Sequence, residues 1–266
     1  MENLRPVTLI TGASAGIGAA LAHVFARNGH RLVLVARRAA KLDALAAEIA
    51  GAGGQRPLVL PLDLERPGAA RNIANVLGAQ GMEPQFIVNN AGFGLVGQAA
   101  ALKSDEQIAM IDLNVRTLTE LSLGFIDSLA RHRGGLLNVA SVAGFLPGPG
   151  MAVYYATKAY VISFSEALHR EWQPLGVRVT ALCPGPVSTE FAARAGVDGD
   201  YASSIFSVAA ERVAEQGYRG LMQGRRLVVP GFANKLVTSL VRFVPRNMLL
   251  AAVALRQSRR RPAPGS

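Results

Sequence analysis

Ser141, Tyr154 and Lys158 stand thirteen and then four positions apart. A hydroxyl, a phenol and an ammonium suit proton transfer to an oxygen that is gaining negative charge. The alkoxide that forms when hydride adds to a carbonyl is such an oxygen. The phenol delivers a proton readily only if its ordinary pKa of ~10 falls. A neighbouring ammonium favours the phenolate, and bringing the pKa to ~7 corresponds to about 4 kcal/mol. Ser141 can hold the carbonyl oxygen by donating a hydrogen bond. Tyr154 opens an amphipathic segment that runs to about Trp172, and residues four apart on a helix share a face. Tyr155, three before Lys158, reaches the same face, so spacing alone does not choose between the tyrosines. A helix that merely buries a tyrosine and solvates a lysine has the same pattern.

Short β-rich apolar runs alternate with helix-length segments and must position these residues. The strand candidates are Val7–Ile10, Arg31–Ala36, Pro57–Leu62, Phe86–Asn89, Gly135–Val139, Val177–Leu182 and Leu227–Val229. Gly16–Asn28 reads as a helix ended by Gly29, and Ala39–Ala50 as one ended by Gly51. Near-continuous apolar strands separated by helices imply a parallel sheet covered on both faces. With right-handed crossovers the fold class is α/β, a doubly wound Rossmann-like sheet of about seven strands in a single domain. Residues 1–231 read as that catalytic domain, 232–258 as a helical C-terminal extension and 259–266 as a basic, disordered tail.

The first strand runs into Thr11-Gly12-Ala13-Ser14-Ala15-Gly16-Ile17-Gly18. Glycines between a strand and a helix let the backbone turn tightly and approach a pyrophosphate at the helix N-terminus. The second strand ends in Ala36-Arg37-Arg38, where a site for NAD would carry an acidic residue for the ribose 2′-hydroxyl. Guanidinium groups suit a 2′-phosphate instead, with Ser14 adding a hydroxyl, so the implied cofactor is NADP(H). Arg37 and Arg38 also read as ordinary solvated charges. Asp63-Leu64 and Asn90-Ala91-Gly92 follow the third and fourth strands, at the strand ends where open α/β sheets bind ligands. Either could merely cap a turn.

In order and spacing these motifs resemble those of the short-chain dehydrogenase/reductase family. The resemblance rests on TGASAGIG, Asp63-Leu64, NNAG at 89–92, Asn114, Ser141, YxxxK at 154–158 and Pro184-Gly185 with Thr189, and it covers residues 7–190. It implies Tyr154 as the acid/base, Ser141 as its hydrogen-bonding partner and Lys158 as the group that lowers the tyrosine pKa and binds the nicotinamide ribose. Asn114 matches the asparagine that bends its helix and holds a water in the proton relay. Val187 and Thr189 match positions that contact the nicotinamide carboxamide, and Arg37 the position used by NADP-preferring members. The implied partners are a small carbonyl or alcohol substrate and further copies of the chain, as a homodimer or homotetramer. Apolar candidates for the substrate pocket are Phe93, Phe145, Leu146, Met151, Phe191 and Phe206, each equally plausible as core. The tail resembles that of broad-substrate bacterial reductases similar to ketoacyl reductases.

Half the residues are hydrophobic and 17% are charged, which supplies a large core and excludes a disordered chain. The one cysteine, Cys183, fits a reducing compartment, and His23, His30, His132 and His169 lack metal-ligand spacing, so no metal is expected. No signal-peptide pattern opens the chain, and no charge-free apolar run reaches the ~18 residues of a membrane span, so a cytoplasmic enzyme is expected. The net charge of +10 lies entirely at the C-terminal end: residues 216–266 hold ten Lys and Arg and no acid. The neutral remainder argues against nucleic-acid binding. The extension has Leu236, Val237, Leu240, Val241 and Val244 at helical spacing, a break at Pro245 and a second apolar run at Met248–Leu255. It reads as packing or an oligomer contact, as a basic amphipathic element on an anionic membrane, or as a contact for an acidic partner. A peripheral-membrane reductase of lipid-like ketones and a non-catalytic NADP-binding scaffold are the alternative functions.

Overall fold

The computed structural model describes residues 4–187, 190 and 206–258. Seven parallel strands form one sheet: β1 (Arg5–Thr11), β2 (Leu32–Ala36), β3 (Leu58–Pro61), β4 (Met82–Asn89), β5 (Gly135–Val139), β6 (Arg178–Leu182) and β7 (Leu227–Val228). The helices are α1 (Gly16–Arg27), α2 (Ala39–Gly51), α3 (Ala69–Ala79), α4 (Ser104–Ile111), α5 (Leu118–Gly124), α6 (Ile126–Arg131), α7 (Ala152–Trp172), α8 (Ala210–Met222), α9 (Phe232–Leu240) and α10 (Arg246–Ser258).

Side chains alternate across each strand and so fill two cores. Ile10, Leu34, Val88, Leu137 and Leu182 pack against Leu21 and Phe25 of α1, Leu42 and Ile49 of α2, and Val213 and Leu221 of α8. Their neighbours Leu9, Val33, Ile87, Leu136 and Val179 face Ile73 and Leu77 of α3, Met110 of α4, and Leu168 and Trp172 of α7. Helices on both faces make the doubly wound architecture that the strand pattern implies. The strand order is β3-β2-β1-β4-β5-β6-β7, so the winding reverses between β1 and β4. A crevice opens at such a point, beyond the carboxyl ends of the strands.

Three local details differ from the sequence reading. β4 starts at Met82 rather than Phe86, because Met82, Glu83 and Pro84 pair with Arg5, Pro6 and Val7. Pro84 lacks a donor and is accommodated where the register shifts between Val7 and Thr8. Helix α2 includes Gly51, and the left-handed residue that follows it is Gly53 at φ +85°. In the extension, α9 buries Asn234 and Thr238 rather than its apolar stripe. Leu236, Val237 and Leu240 are exposed, as are Phe232 and Phe243. Among the described residues, no helix is long and apolar enough to cross a membrane.

Candidate active site

A groove of about 400 Å³ follows the crevice from the glycine turn to the start of α7. Gly12, Ser14, Gly16 and Ile17 line it, together with Arg37, Arg38, Asp63, Leu64, Asn90, Ala91, Gly92, Ser141, Tyr154, Lys158, Pro184, Gly185 and Val187. The fold therefore brings most of the sequence-assigned residues to one place. Gly18 is buried and does not border the groove. A Cβ there would lie 2.3 Å from the Gly12 carbonyl oxygen, so Gly18 lets α1 close onto the turn. Gly12 has φ +65°, and a Cβ on it would sit 2.8 Å from Ala91 Cα. The Asn90 amide donates to the carbonyls of Thr11 (2.9 Å) and Gly12 (3.1 Å), tying the turn to the β4 loop. Asp63 Oδ1 accepts from the Glu65 backbone N–H at 3.2 Å, which makes it a turn cap as well as a groove residue.

At the far end of the groove the two arginines take different partners. Arg38 donates to Ser14 Oγ at 2.9 Å and pairs with Glu190 at 2.6 Å, while Lys41 bonds the other Glu190 oxygen. Arg37 pairs with Glu65 at 3.4 Å. The residue coupled directly to the glycine turn is thus Arg38, although the family pattern singles out Arg37.

At the near end, Lys158 and Tyr154 are both buried on the first turns of α7. Lys158 Nζ donates to the Val139 carbonyl at the end of β5 (2.8 Å) and lies 5.9 Å from the Tyr154 ring centre. Burial lowers the Lys158 pKa from 10.5 to about 8, because the ammonium loses its hydration. Burial pushes the neighbouring Cys183 thiol well above its ordinary value, so it is an inert packing group. Ser141 caps the 3₁₀ turn Val142–Phe145, its Oγ accepting from Ala143 N at 3.1 Å. The hydroxyl donates to the Pro184 carbonyl at 3.5 Å, a long bond that a substrate oxygen can replace. Tyr155 packs elsewhere, since its ring fills the space beside Gly148, where a Cβ would come within 2.1 Å.

Asn114 lies behind the groove wall in a π-helical turn, Asp112–Thr117, which interrupts the run from α4 to α5. Its amide nitrogen donates to Phe93 O (2.9 Å) and Thr157 Oγ1 (3.1 Å), and its oxygen accepts from Phe93 N (3.1 Å). Thr157 in turn donates to the Tyr154 carbonyl at 2.7 Å. This buried chain locks the first turn of α7 to the β4 loop and so orients Tyr154.

The apolar pocket candidates are dispersed. Phe93 and Met151 belong to the core beneath the groove, because the short loops that carry them turn those side chains inward. Phe145 and Leu146 line a second cleft of about 560 Å³ against Val241, Arg242, Val244 and Leu249 of the extension. Phe206 offers its carbonyl to Asn234 Nδ2 at 3.0 Å. Phe191 and Thr189 lie outside the described residues. Sequence reasoning missed Lys41, Glu190 and Asn234. A Cβ on Gly185 would meet Asn234 Nδ2 at 2.5 Å, so the extension is seated directly against the groove rim. Among the described residues no cluster of His, Cys, Asp and Glu could hold a metal ion.

A family model described as short chain dehydrogenase matches residues 6–198. The chain belongs to the short chain dehydrogenase family. It is 37% identical over 188 residues to the NADP-dependent 3-hydroxy acid dehydrogenase of Salmonella typhi, covering 70% of this chain and 74% of that one. It is 37% identical over 210 residues to sulfoacetaldehyde reductase 2 of Chromohalobacter salexigens, covering 76% and 80%. Among solved structures, it matches a short-chain dehydrogenase from Sphingobium yanoikuyae in complex with NADPH at TM-score 0.78 and 32% identity, over 98% of each chain. The bulky-bulky ketone specific alcohol dehydrogenase from Comamonas testosteroni matches at TM-score 0.74 and 27% identity, over 99% and 98%. The extension lies beyond the family match but within both structural matches.

Proposed function

We propose that this short chain dehydrogenase interconverts a ketone or aldehyde and its alcohol, with Tyr154 moving the proton and NADP(H) the hydride. The observation that carries the reading is the buried Lys158 ammonium beside Tyr154, at one end of a groove whose other end carries Arg37 and Arg38, each paired with a glutamate. The residues fit such a dinucleotide. The turn with Gly12 and Gly16 leaves room for a pyrophosphate, Arg38, Arg37 and Ser14 suit a 2′-phosphate, and Asn90 to Gly92 with Pro184 to Val187 border the rest. When bound, the cofactor supplies or accepts the hydride.

In the reductive direction the Tyr154 phenol donates to the carbonyl oxygen as negative charge develops there. Ser141 donates a second hydrogen bond to that oxygen, which stabilises the transition state more than the ground state. One Lys158 proton is committed to Val139, which leaves two for the phenol and for a ribose hydroxyl. Near pH 8 the lysine gains and loses its proton readily, which suits a group that restores the phenol. Asn114 works through Thr157 as a positioning residue. Residues 1–231 form the catalytic unit, with 232–258 as its extension. In the direct test, Tyr154→Phe is assayed for NADPH oxidation with a panel of carbonyl compounds. The expected loss is about 10²–10⁴-fold with NADPH binding retained, and unchanged turnover would overturn the assignment.

The extension supports a second reading, of where the enzyme works. Phe232 and Phe243 are 83% and 79% exposed, the highest values among the described large apolar side chains, and Lys235, Arg242 and Arg246 lie within three residues of one or the other along the chain. A two-fold contact of this face with itself would bring like charges together. Anionic headgroups complement the charge while the aromatic tips enter the interface. We infer peripheral contact with anionic membrane. Vesicles containing phosphatidylserine should sediment the wild type but not a Phe232→Ser, Phe243→Ser double variant. Equal recovery of both proteins with the vesicles would refute the contact, as would none for the wild type at low salt.

A further inference from the structure

We infer that Glu190 competes internally for the place of the cofactor 2′-phosphate, and that Lys41 is an additional cation of that site. The inference rests on the NADP(H) reading above. The Glu190 carboxylate borders the groove and bridges two cations, with Oε2 at 2.6 Å from Arg38 Nη1 and Oε1 bonded to Lys41 Nζ. Lys41 and Arg38, in that order, hold the carboxyl below its ordinary pKa, so it is ionised at neutral pH.

Arg38 is held from its other side. Its Nη2 and Nε both donate to Ser14 Oγ, at 2.9 and 3.3 Å, which fixes the guanidinium against the glycine turn. The cations that meet at the carboxylate are therefore those of the groove end that carries Ser14. A carboxylate and a phosphate present similar acceptor oxygens to a guanidinium. The glutamate oxygens thus mark where an oxyanion is held, at the N-terminal turn of α2, on which Lys41 lies. Arg37 pairs with Glu65 rather than with Glu190.

Competition follows from charge. A phosphate monoester carries about −1.5 to −2 at neutral pH against −1 for the carboxylate, so it outcompetes Glu190 for the same donors. NADPH must displace the carboxylate to reach Arg38 and Lys41, whereas NADH has no phosphate to offer them. Glu190 therefore lowers affinity for the phosphorylated cofactor and leaves the other unaffected. Both partners of the ion pair are about half exposed, at 45% and 51%, which limits the effect to about two- to fivefold.

The test titrates the full-length, cofactor-free protein with NADPH, NADH and adenosine 2′-monophosphate, read by nucleotide fluorescence and calorimetry. Glu190→Gln should tighten NADPH and adenosine 2′-monophosphate by about two- to fivefold and leave NADH unchanged. Adding Lys41→Met to Glu190→Gln should weaken both phosphorylated ligands relative to the single variant, again with NADH unchanged. Unchanged or weaker NADPH binding in Glu190→Gln overturns the competition, since a glutamate that clamps a bound dinucleotide would weaken every ligand. No effect of Lys41→Met in that background removes Lys41 from the site. If wild type binds NADPH and NADH equally, the cofactor reading itself fails, which is a separate result from failure of the Glu190 effect alone.

Discussion

Keeping an ammonium buried beside the phenol has a cost in stability that depends on pH. Burial brings the Lys158 pKa from 10.5 to about 8. The folded state therefore binds fewer protons than the unfolded chain between these values, and stability rises with pH across that window. Well below the folded value the penalty is present in full, about 3 kcal/mol. Raising the pH from about 7.5 to about 9.5 relieves about 2 kcal/mol of it. The perturbation is Lys158→Met, which keeps an unbranched chain of similar length and abolishes the titration. The variant leaves the Val139 carbonyl without its donor, a cost of about 1–3 kcal/mol that applies at both pH values. Urea unfolding of both cofactor-free proteins at the two pH values separates the effects, because the titrating groups that do not neighbour Lys158 are common to both. Wild type should gain about 2 kcal/mol on the variant at the higher pH. A stability gap that stays constant, or moves the other way, would refute the burial penalty and with it the account of Lys158 as a strained ammonium.

Arg38→Ala should weaken NADPH binding about ten- to hundredfold with a much smaller effect on NADH, measured by fluorescence titration, because it removes charge-assisted donors beside Ser14. Arg37→Ala should cost less, since that guanidinium is paired with Glu65. Gly18→Ala places a Cβ 2.3 Å from backbone, and about 1–3 kcal/mol of stability should be lost together with NADPH affinity, read by thermal denaturation and titration. Asn234→Ala removes donors to Pro230 O (2.8 Å) and Phe206 O (3.0 Å). That change should cost about 1–3 kcal/mol and speed proteolysis of the extension.

The parts of this protein legible in its sequence are those set by short-range periodicity and local chain geometry. Strand and helix runs follow from periods of two and 3.6, so the alternation of elements by itself implies a parallel sheet. The glycine turn is local too, since left-handed Gly12 and Gly16 need no distant partner to explain them. Tyr154 and Lys158 share a face because they are one helical turn apart. Even so, local pattern misjudged the start of β4, where a proline hides pairing that a register shift allows.

What only the tertiary structure decided concerns partners far apart in the chain. Helix geometry left Tyr154 and Tyr155 equivalent; the family resemblance already pointed to Tyr154, and packing supplies the physical reason, with Tyr155 against Gly148 and Tyr154 on the groove. Aromatic identity could not tell pocket from core, and folding placed Phe93 and Met151 in the core. Lys41 and Glu190 are 149 positions apart, and Asn234 reaches back 28 to Phe206, so neither pairing leaves a spacing to detect. Residue types and their local spacing determined the chemistry of Ser141, Tyr154 and Lys158. Where their charges are buried, and which distant side chains hold them there, depends on the order in which the sheet assembles its strands.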